Sequence, residues 1–338
     1  PELRVLLAID EARGLFSRSD SSPFSFFRIF RHVIKQMPPS SFFFSILADT
    51  TSRVSNFNPP AYQDPSYRPG TKSQCKLYAP IHEIPTFDVN VAVVPPATWS
   101  ELQSAFRLFS YGSPFWGVYI DSAKQQNRPG LIVVEELSRL AFFKLLCRTE
   151  MSITSTSLTD EQAIALLGST IQPQLYTASH LNTQLVSSHG AQCMYIDSSR
   201  SMLISEYPSQ IAYSSAANKV LATDDLILIR CIQVLTFTQR QGYISPGDVG
   251  ELASRIILLC AMHETMKKTQ TANKMSDTGE LIMPFGHSVR LVDFLLTLTG
   301  LEEERQLELG SITDENRAKL LKHGQLFWNH FVCVDHTP

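Results

Sequence analysis

The sequence predicts an α/β protein with a parallel-sheet core first, then a helical segment, then a mostly helical second half. Three observations carry that expectation. Leu3–Ile9 is a short run, apolar apart from Arg4, with none of the alternation of a half-buried strand. Such a run suits a central strand of a parallel sheet, covered on both faces. Phe42–Leu47 is a second run of the same kind. Between them, Ser22–Gln36 carries Phe26, Phe27, Phe30, Val33 and Ile34 at helical spacing, and Pro38-Pro39 ends the helix. Strand, helix, strand is a βαβ unit, so the sheet should be parallel with helices on both sides.

The rest of the chain is read in order. Asn56–Ser73, rich in Pro, Asn, Asp, Ser and Gly, is a surface loop, and Ile84–Val94 is a mixed apolar stretch stopped by Pro95-Pro96. Trp99–Phe109 has helical periodicity, Tyr111–Gly117 reads as a turn, Asn127–Gly130 as a loop, and Leu131–Cys147 as a helix. A Ser/Thr-rich stretch over 149–159 opens the second half. There Thr159-Asp160-Glu161-Gln162 caps a helix, with acidic residues on its dipole and Gly168 as its stop. Ala191–Asp197 and Ser201–Glu206 flank a Ser-Ser-Arg turn as a hairpin. Asp224–Gln239 is an apolar helix, and Ser245–Asp248 caps another that runs to about Lys267, with Glu251 and Arg255 four apart. Ser288–Thr299 is amphipathic, with Gly300 as a C-terminal stop. These shifts place boundaries at 1–97, 98–150 and 151–338. The 338 residues suit about two domains.

Composition excludes several classes. Apolar residues make up 43% and charged ones 18%, which removes a disordered chain. The balance of 29 basic against 32 acidic residues, a net of −3, gives no general attraction to nucleic acid or anionic membrane. No apolar run reaches the ~18–20 residues of a membrane span, because Leu226–Phe237 is short and is broken by Arg230. Pro1-Glu2-Leu3-Arg4 lacks the order of a secretory signal, and its entry straight into a strand pattern reads as a cut. Cys75, Cys147, Cys193, Cys231, Cys260 and Cys333 are scattered without a close pair, as suits a reducing compartment. The expectation is an intracellular protein, cytoplasmic or nuclear, with no membrane partner.

The chemistry-bearing pattern is at the strand ends. Val5-Leu6-Leu7-Ala8-Ile9-Asp10-Glu11 is an apolar strand followed by Asp-Glu, the Walker B pattern of P-loop NTPases. A strand puts such carboxylates at the carboxyl edge of the sheet, where open α/β folds bind ligands. Asp10 would hold the Mg²⁺ of a nucleotide, and Glu11 would orient the attacking water. The plainer alternative is a strand that ends in solvent-facing acids. The second strand closes on Asp49-Thr50-Thr51-Ser52-Arg53, either a sensor cluster or a Ser/Thr turn satisfying its own backbone. Tyr111-Gly112-Ser113-Pro114 is the third element, and a Gly-Pro helix-ending turn is its ordinary reading. A P-loop would read Gly-x-x-x-x-Gly-Lys-Ser/Thr, yet no Gly-Lys pair exists, and Gly70-Thr71-Lys72-Ser73 has the wrong order and place.

Taken together, these segments resemble STAND- and AAA-type P-loop ATPases. Ile9–Arg13, Leu47–Phe57, Asp64-Pro65-Ser66, Gly250–Arg255 and Trp328–Val332 look like a large set of fungal proteins from mushroom-forming species. Those proteins are similar to Crinkler-type effectors, which couple a STAND-like NTPase to a nuclease-like domain. The resemblance implies a P-loop NTPase-like core lacking Walker A, then a helical lid, then a mostly α domain. It implies that Thr50, Thr51 and Arg53 sense the γ-phosphate and that Pro114 contacts the base. It further implies that ATP and Mg²⁺ are bound only where a P-loop is supplied upstream, so that this chain, as a fragment or a degenerate copy, would not be expected to hydrolyse ATP alone.

Two alternatives stay open: a non-catalytic interaction protein on a decayed NTPase scaffold, with a protein partner or an oligomer, and a nuclease-linked effector acting on nucleic acid. A nuclease would use Glu251, but no Glu-x-Lys strand follows it, so pairing with Arg255 is the favoured reading. His263-Glu264 fails the His-Glu-x-x-His zinc pattern because position 267 is Lys. His323, His330 and His336 have no spacing that fixes a site, and Cys147 and Cys260 suit buried, inert thiols.

Overall fold

The computed structural model describes residues 5–16, 25–38, 41–49, 81–82, 87–176, 179–197, 202–272, 285–304, 307, 310, 312–327 and 329–331. Helices dominate, and the strands form three two-stranded sheets. The chain begins with β1 (Val5–Ile9), a 3₁₀ turn at Ala12–Phe16, α1 (Phe26–Gln36) and β2 (Phe43–Leu47). Then come α2 (Trp99–Gln103), α3 (Ala105–Ser110), α4 (Pro114–Gln125), α5 (Gly130–Leu146) and α6 (Asp160–Gly168). Next are α7 (Ser179–Ser188), β3 (Gln192–Ile196), β4 (Leu203–Glu206), α8 (Ile211–Thr223) and α9 (Asp225–Arg240). The chain continues through α10 (Val249–Ala272), β5 (Val289–Arg290), α11 (Leu291–Thr299), α12 (Asp314–His323) and β6 (Gln325–Leu326).

Two compact units result. The first comprises Pro1–Glu83, Ala178–Ser187 and Cys193–Ser205, and the second comprises Ile84–Thr177, Ser188–Gln192 and Glu206–Pro338. In the first unit β1 and β2 pair in parallel, in register from Val5 opposite Phe43 to Ile9 opposite Leu47. Ala12 and Phe27 are buried there, with Ile9, Leu15, Phe30 and Leu47 against them. One expectation is corrected. The apolar run predicts a β1 covered on both faces, yet Val5 and Leu6 are 47% and 53% exposed, and Phe44, Ile46, Phe26, Ile29 and Val33 are exposed too. Among the described residues the small cluster around Phe27 is the apolar cover, and a two-stranded sheet has an open edge on either side. Elsewhere in this unit, the Asn182 side chain of α7 donates to the Leu203 carbonyl (2.9 Å) and accepts from the Ser205 hydroxyl (2.7 Å).

The second unit is a helical assembly around two largely buried helices. Gln162–Gly168 of α6 are all buried, as are most residues of α8. A helix can be buried all round when it is short of charge, and α8 carries Ala212, Ser214, Ser215, Ala216 and Ala217 on the faces that meet its neighbours. It packs against α3, α5, α6, α9 and α10. Gly168 is needed for one such approach, since a Cβ there would sit 2.5 Å from the Tyr207 ring. Thr159 and Gln162 exchange side-chain and backbone bonds in a full capping box at the start of α6, as the sequence predicts.

The sequence also predicts one helix over Trp99–Phe109, where the chain makes two. Ser104 leaves the helical conformation, and its hydroxyl caps α3 by accepting from the Arg107 N–H (3.4 Å). A turn is expected over Tyr111–Gly117, whereas only Tyr111–Ser113 turn and Pro114 is the first residue of α4. β5 and β6 pair antiparallel beside α11, and Gly300 ends that helix with φ 71°.

Candidate functional site

In the first unit the two strand ends are stitched together. Ala48 N–H donates to the Ile9 carbonyl (2.8 Å), and Ala12 N–H donates to the Ala48 carbonyl (3.0 Å). Asp10 and Glu11 therefore leave β1 beside the exit of β2, at one edge of the parallel pair. Glu11 takes a left-handed backbone (φ 51°), which is uncommon for a residue with a Cβ, and its N–H donates to Asp10 Oδ1 (2.9 Å). Both acids are exposed. Thr50, Thr51 and Arg53 lie outside the described residues.

Among the described residues, no group of three or more His, Cys, Asp or Glu side chains is placed to hold a metal ion. The donor chemistry at this edge still fits a nucleotide-borne Mg²⁺. That ion keeps several waters and takes one or two carboxylates together with the phosphates of its substrate. Asp10, an exposed residue, is the carboxylate at this edge that would hold it.

Pro114 belongs to the second unit, in a tightly built turn. Gly112 has φ 75°, and a Cβ there would lie 2.5 Å from Gln210 Oε1, so only glycine fits. Gly112 N–H donates to Asp88 Oδ1 (2.6 Å), and Ser113 N–H donates to Gln210 Oε1 (2.9 Å). Gln210 is itself 1% exposed, and its Nε2 is buried with no partner among the described residues.

Around Gln210 the second unit builds a polar chain that sequence reasoning missed. Ser209 Oγ lies 2.9 Å from His330 Nε2, and His330 Nδ1 lies 2.6 Å from Asn329 Oδ1. The Asn329 carbonyl accepts from Asn218 Nδ2 (2.6 Å), and Asn218 Oδ1 faces His263 Nε2 at 2.7 Å. Asn218, His263 and Asn329 are buried. Desolvation pushes both His263 and His330 down to about 4, so both rings are neutral at pH 7. For His263 the cation of Lys267 lowers the value further, and Glu264 acts against it. The segment is pinned by Phe331, whose N–H donates to the Thr170 carbonyl (2.7 Å) beneath the Arg255 guanidinium. No local pattern marks Ser209 or Asn329. Asn218, a carboxamide inside a helix of small apolar residues, is the one signal in the sequence, because a buried amide needs partners.

The other residues singled out by sequence resolve simply. Glu251 is paired with Arg255, which also donates to the Ile171 carbonyl (2.7 Å), so its carboxylate serves the helix surface. His263 is a buried donor in the network above, and Glu264 pairs with Lys267. His323 ends α12, and His336 lies outside the described residues. Cys147 is exposed in a left-handed C-cap (φ 50°) rather than buried, because it is the residue that ends α5. Cys260 is half-buried, and its thiol is pushed up mainly by desolvation.

Comparison with known proteins gives two family matches. Residues 1–84 match the model of a domain of unknown function, DUF8735, and residues 154–282 match a second, DUF8736. The first match ends one residue after the opening segment of the first compact unit. No curated protein and no solved structure matches the chain. No helix among the described residues is long and apolar enough to cross a membrane.

Proposed function

We propose that residues 5–53 form the Mg²⁺-coordinating and sensing edge of a nucleotide-dependent switch of the STAND type. One observation carries this reading: β1 and β2 are adjacent, parallel and in register, which sets Asp10 and Glu11 beside the strand that runs into Asp49. Non-adjacent strands would have ended it. In this reading Asp10 holds the metal, Glu11 orients water, and Thr50, Thr51 and Arg53 read the γ-phosphate. Bound Mg²⁺ would neutralise phosphate charge. The chain contributes no Gly-Lys phosphate cradle, so it is expected to bind nucleotide weakly and not to turn it over alone.

Paramagnetic broadening suits such a weak site. With Mn²⁺ in place of Mg²⁺ and ATP present, the amides of Ile9–Ala12 and Ala48–Asp49 should broaden. Asp10→Ala should abolish the effect. Equal broadening in the variant, or none at those amides in the native chain, would show that Asp10-Glu11 is only a strand end. The scaffold alternative would then stand. It draws on the exposed apolar side chains of β1, β2 and α1, which suit a surface that meets another protein.

A further inference from the structure

We propose that Ser209, His330 and Asn329 form a nucleophilic serine site that cleaves carboxylic esters. This rests on the second unit alone and is independent of the nucleotide reading.

The hydrogen bonds fix the roles. Asn329 Oδ1 can only accept, so the proton of the His330 ring sits on Nδ1 and the bond is Nδ1–H to Oδ1 (2.6 Å). That leaves Nε2 as the acceptor, and the Ser209 hydroxyl, 2.9 Å away, donates to it. Nucleophile, base and orienting group thus stand in the order that acyl transfer requires. The imidazole is kept in its neutral, proton-accepting form by burial. Ser209 itself is half-buried rather than sealed.

A second observation points to a ligand. A carboxamide donor, Gln210 Nε2, lies on the residue after the serine. It is buried with no partner among the described residues, in a residue 1% exposed. An unpaired buried donor is costly, and a carbonyl oxygen that gathers charge is the acceptor such a donor suits. Gln210 is held for that task by Ser113, whose N–H occupies its oxygen and turns its nitrogen the other way.

The chemistry closes. Ser209 Oγ adds to the ester carbonyl carbon while its proton passes to His330 Nε2, and the carbonyl π pair becomes an oxyanion, for which Gln210 Nε2 is the unpartnered donor at hand. Collapse breaks the acyl–oxygen bond, and the departing alkoxide takes the proton from Nε2 and leaves as the alcohol. Water repeats the sequence at the acyl-serine, which releases the carboxylic acid and restores Ser209.

The test is covalent labelling of the full chain with a tagged fluorophosphonate, read by peptide mass spectrometry. The expected result is an adduct on Ser209 that is absent in Ser209→Ala and forms about 100-fold more slowly in His330→Gln. As a positioning residue, Asn329 should be needed for its acceptor oxygen, so Asn329→Ala slows labelling and Asn329→Asp restores it. Absence of a Ser209 adduct in the native chain overturns the proposal. So does a folded His330→Gln that labels at the native rate, or an Asn329→Asp that behaves like Asn329→Ala. Because the first of these readings uses the native chain, a variant that fails to fold does not protect the idea.

Discussion

The two units bury apolar side chains in opposite ways. In the first, the in-register pair β1 and β2 keeps Val5, Leu6, Phe44 and Ile46 more than a third exposed, and its buried cluster is centred on Ala12 and Phe27. In the second, Ile164, Leu166, Leu167 and Leu221 lie within helices with almost no exposure. Strongly apolar sequence therefore predicts a strand or helix in both units, yet the β1–β2 pair keeps much of its apolar surface exposed where the apolar residues of α6 and α8 are buried. What differs is cover. A helix surrounded by other helices is closed by its neighbours, whereas a parallel pair needs further strands and helices on both faces before its apolar residues leave water.

The sharpest way to break this comparison is a matched truncation. Leu166→Ala removes a fully buried side chain from α6 and should cost about 2–5 kcal/mol, whereas Leu6→Ala, half exposed, should cost less than about 1 kcal/mol. Denaturant unfolding of both variants gives the answer. Equal losses would mean that β1 is covered in solution.

Acid should act next, and on the second unit. His189, His263, His287 and His330 all lie there, and burial lowers each. The folded state holds these rings neutral, so unfolding takes up protons between the folded value and the free value of 6.5. Stability contributed by the neutral rings is complete at pH 7 and is lost as pH falls from about 6.5 through about 4. For His263, with a folded value about 4, the loss at acid pH is roughly 3 kcal/mol. Denaturation at pH 7, 5 and 4 should show that fall. His263→Gln keeps a donor toward Asn218 Oδ1 and should flatten its share of it. An unchanged pH slope in that variant would remove His263 as a cause.

Close approach is a third point of difference. Gly168→Ala drives a methyl into the buried Tyr207 ring, whose hydroxyl is already committed to the His189 carbonyl (2.8 Å). The expected cost is about 1–3 kcal/mol. In contrast, Gly14→Ala in the first unit meets nothing within 4 Å and should leave stability near native. A thermal melt of each variant reads this directly.

How much of this is legible in the sequence follows the same physics. The βαβ order, the parallel pairing and the adjacency of Asp10 to the second strand can be read from apolar runs, because strand runs and helical spacing are local signals. Thr159 and Gly300 are legible as caps for the same reason. The helix that begins at Pro114 is not, since Gly112 and Pro114 look alike in a turn and in a turn that launches a helix. Nor is α8, whose small residues give little amphipathic contrast because nearly all of the helix is buried. The Ser209–His330 pair spans 121 positions, and no local pattern encodes a contact made by the path of the whole chain. The exposed state of β1 is illegible for a further reason. An apolar run reports what a strand can bury, not what is present to bury it.

The smallest effect tests whether that difference extends to helix ends. α6 opens with a capping box in which Thr159 accepts from Gln162 N–H (3.2 Å) and the Gln162 side chain accepts from Thr159 N–H (3.1 Å). Gln162 also donates to the buried Leu146 carbonyl (2.7 Å), so the cap is tied to α5. α1 opens at Ser25, which makes no side-chain capping bond although serine is well suited to one. Thr159→Ala should therefore cost about 1 kcal/mol and speed amide exchange in the first turn of α6, while Ser25→Ala should leave α1 within about 0.3 kcal/mol of native. Amide hydrogen exchange resolved by helix separates the two. A Ser25→Ala variant that loosens α1 as much as Thr159→Ala loosens α6 would mean that Ser25 caps its helix in solution. The first unit would then be locally as well built as the second, and its exposed apolar faces would be the whole of the difference between them.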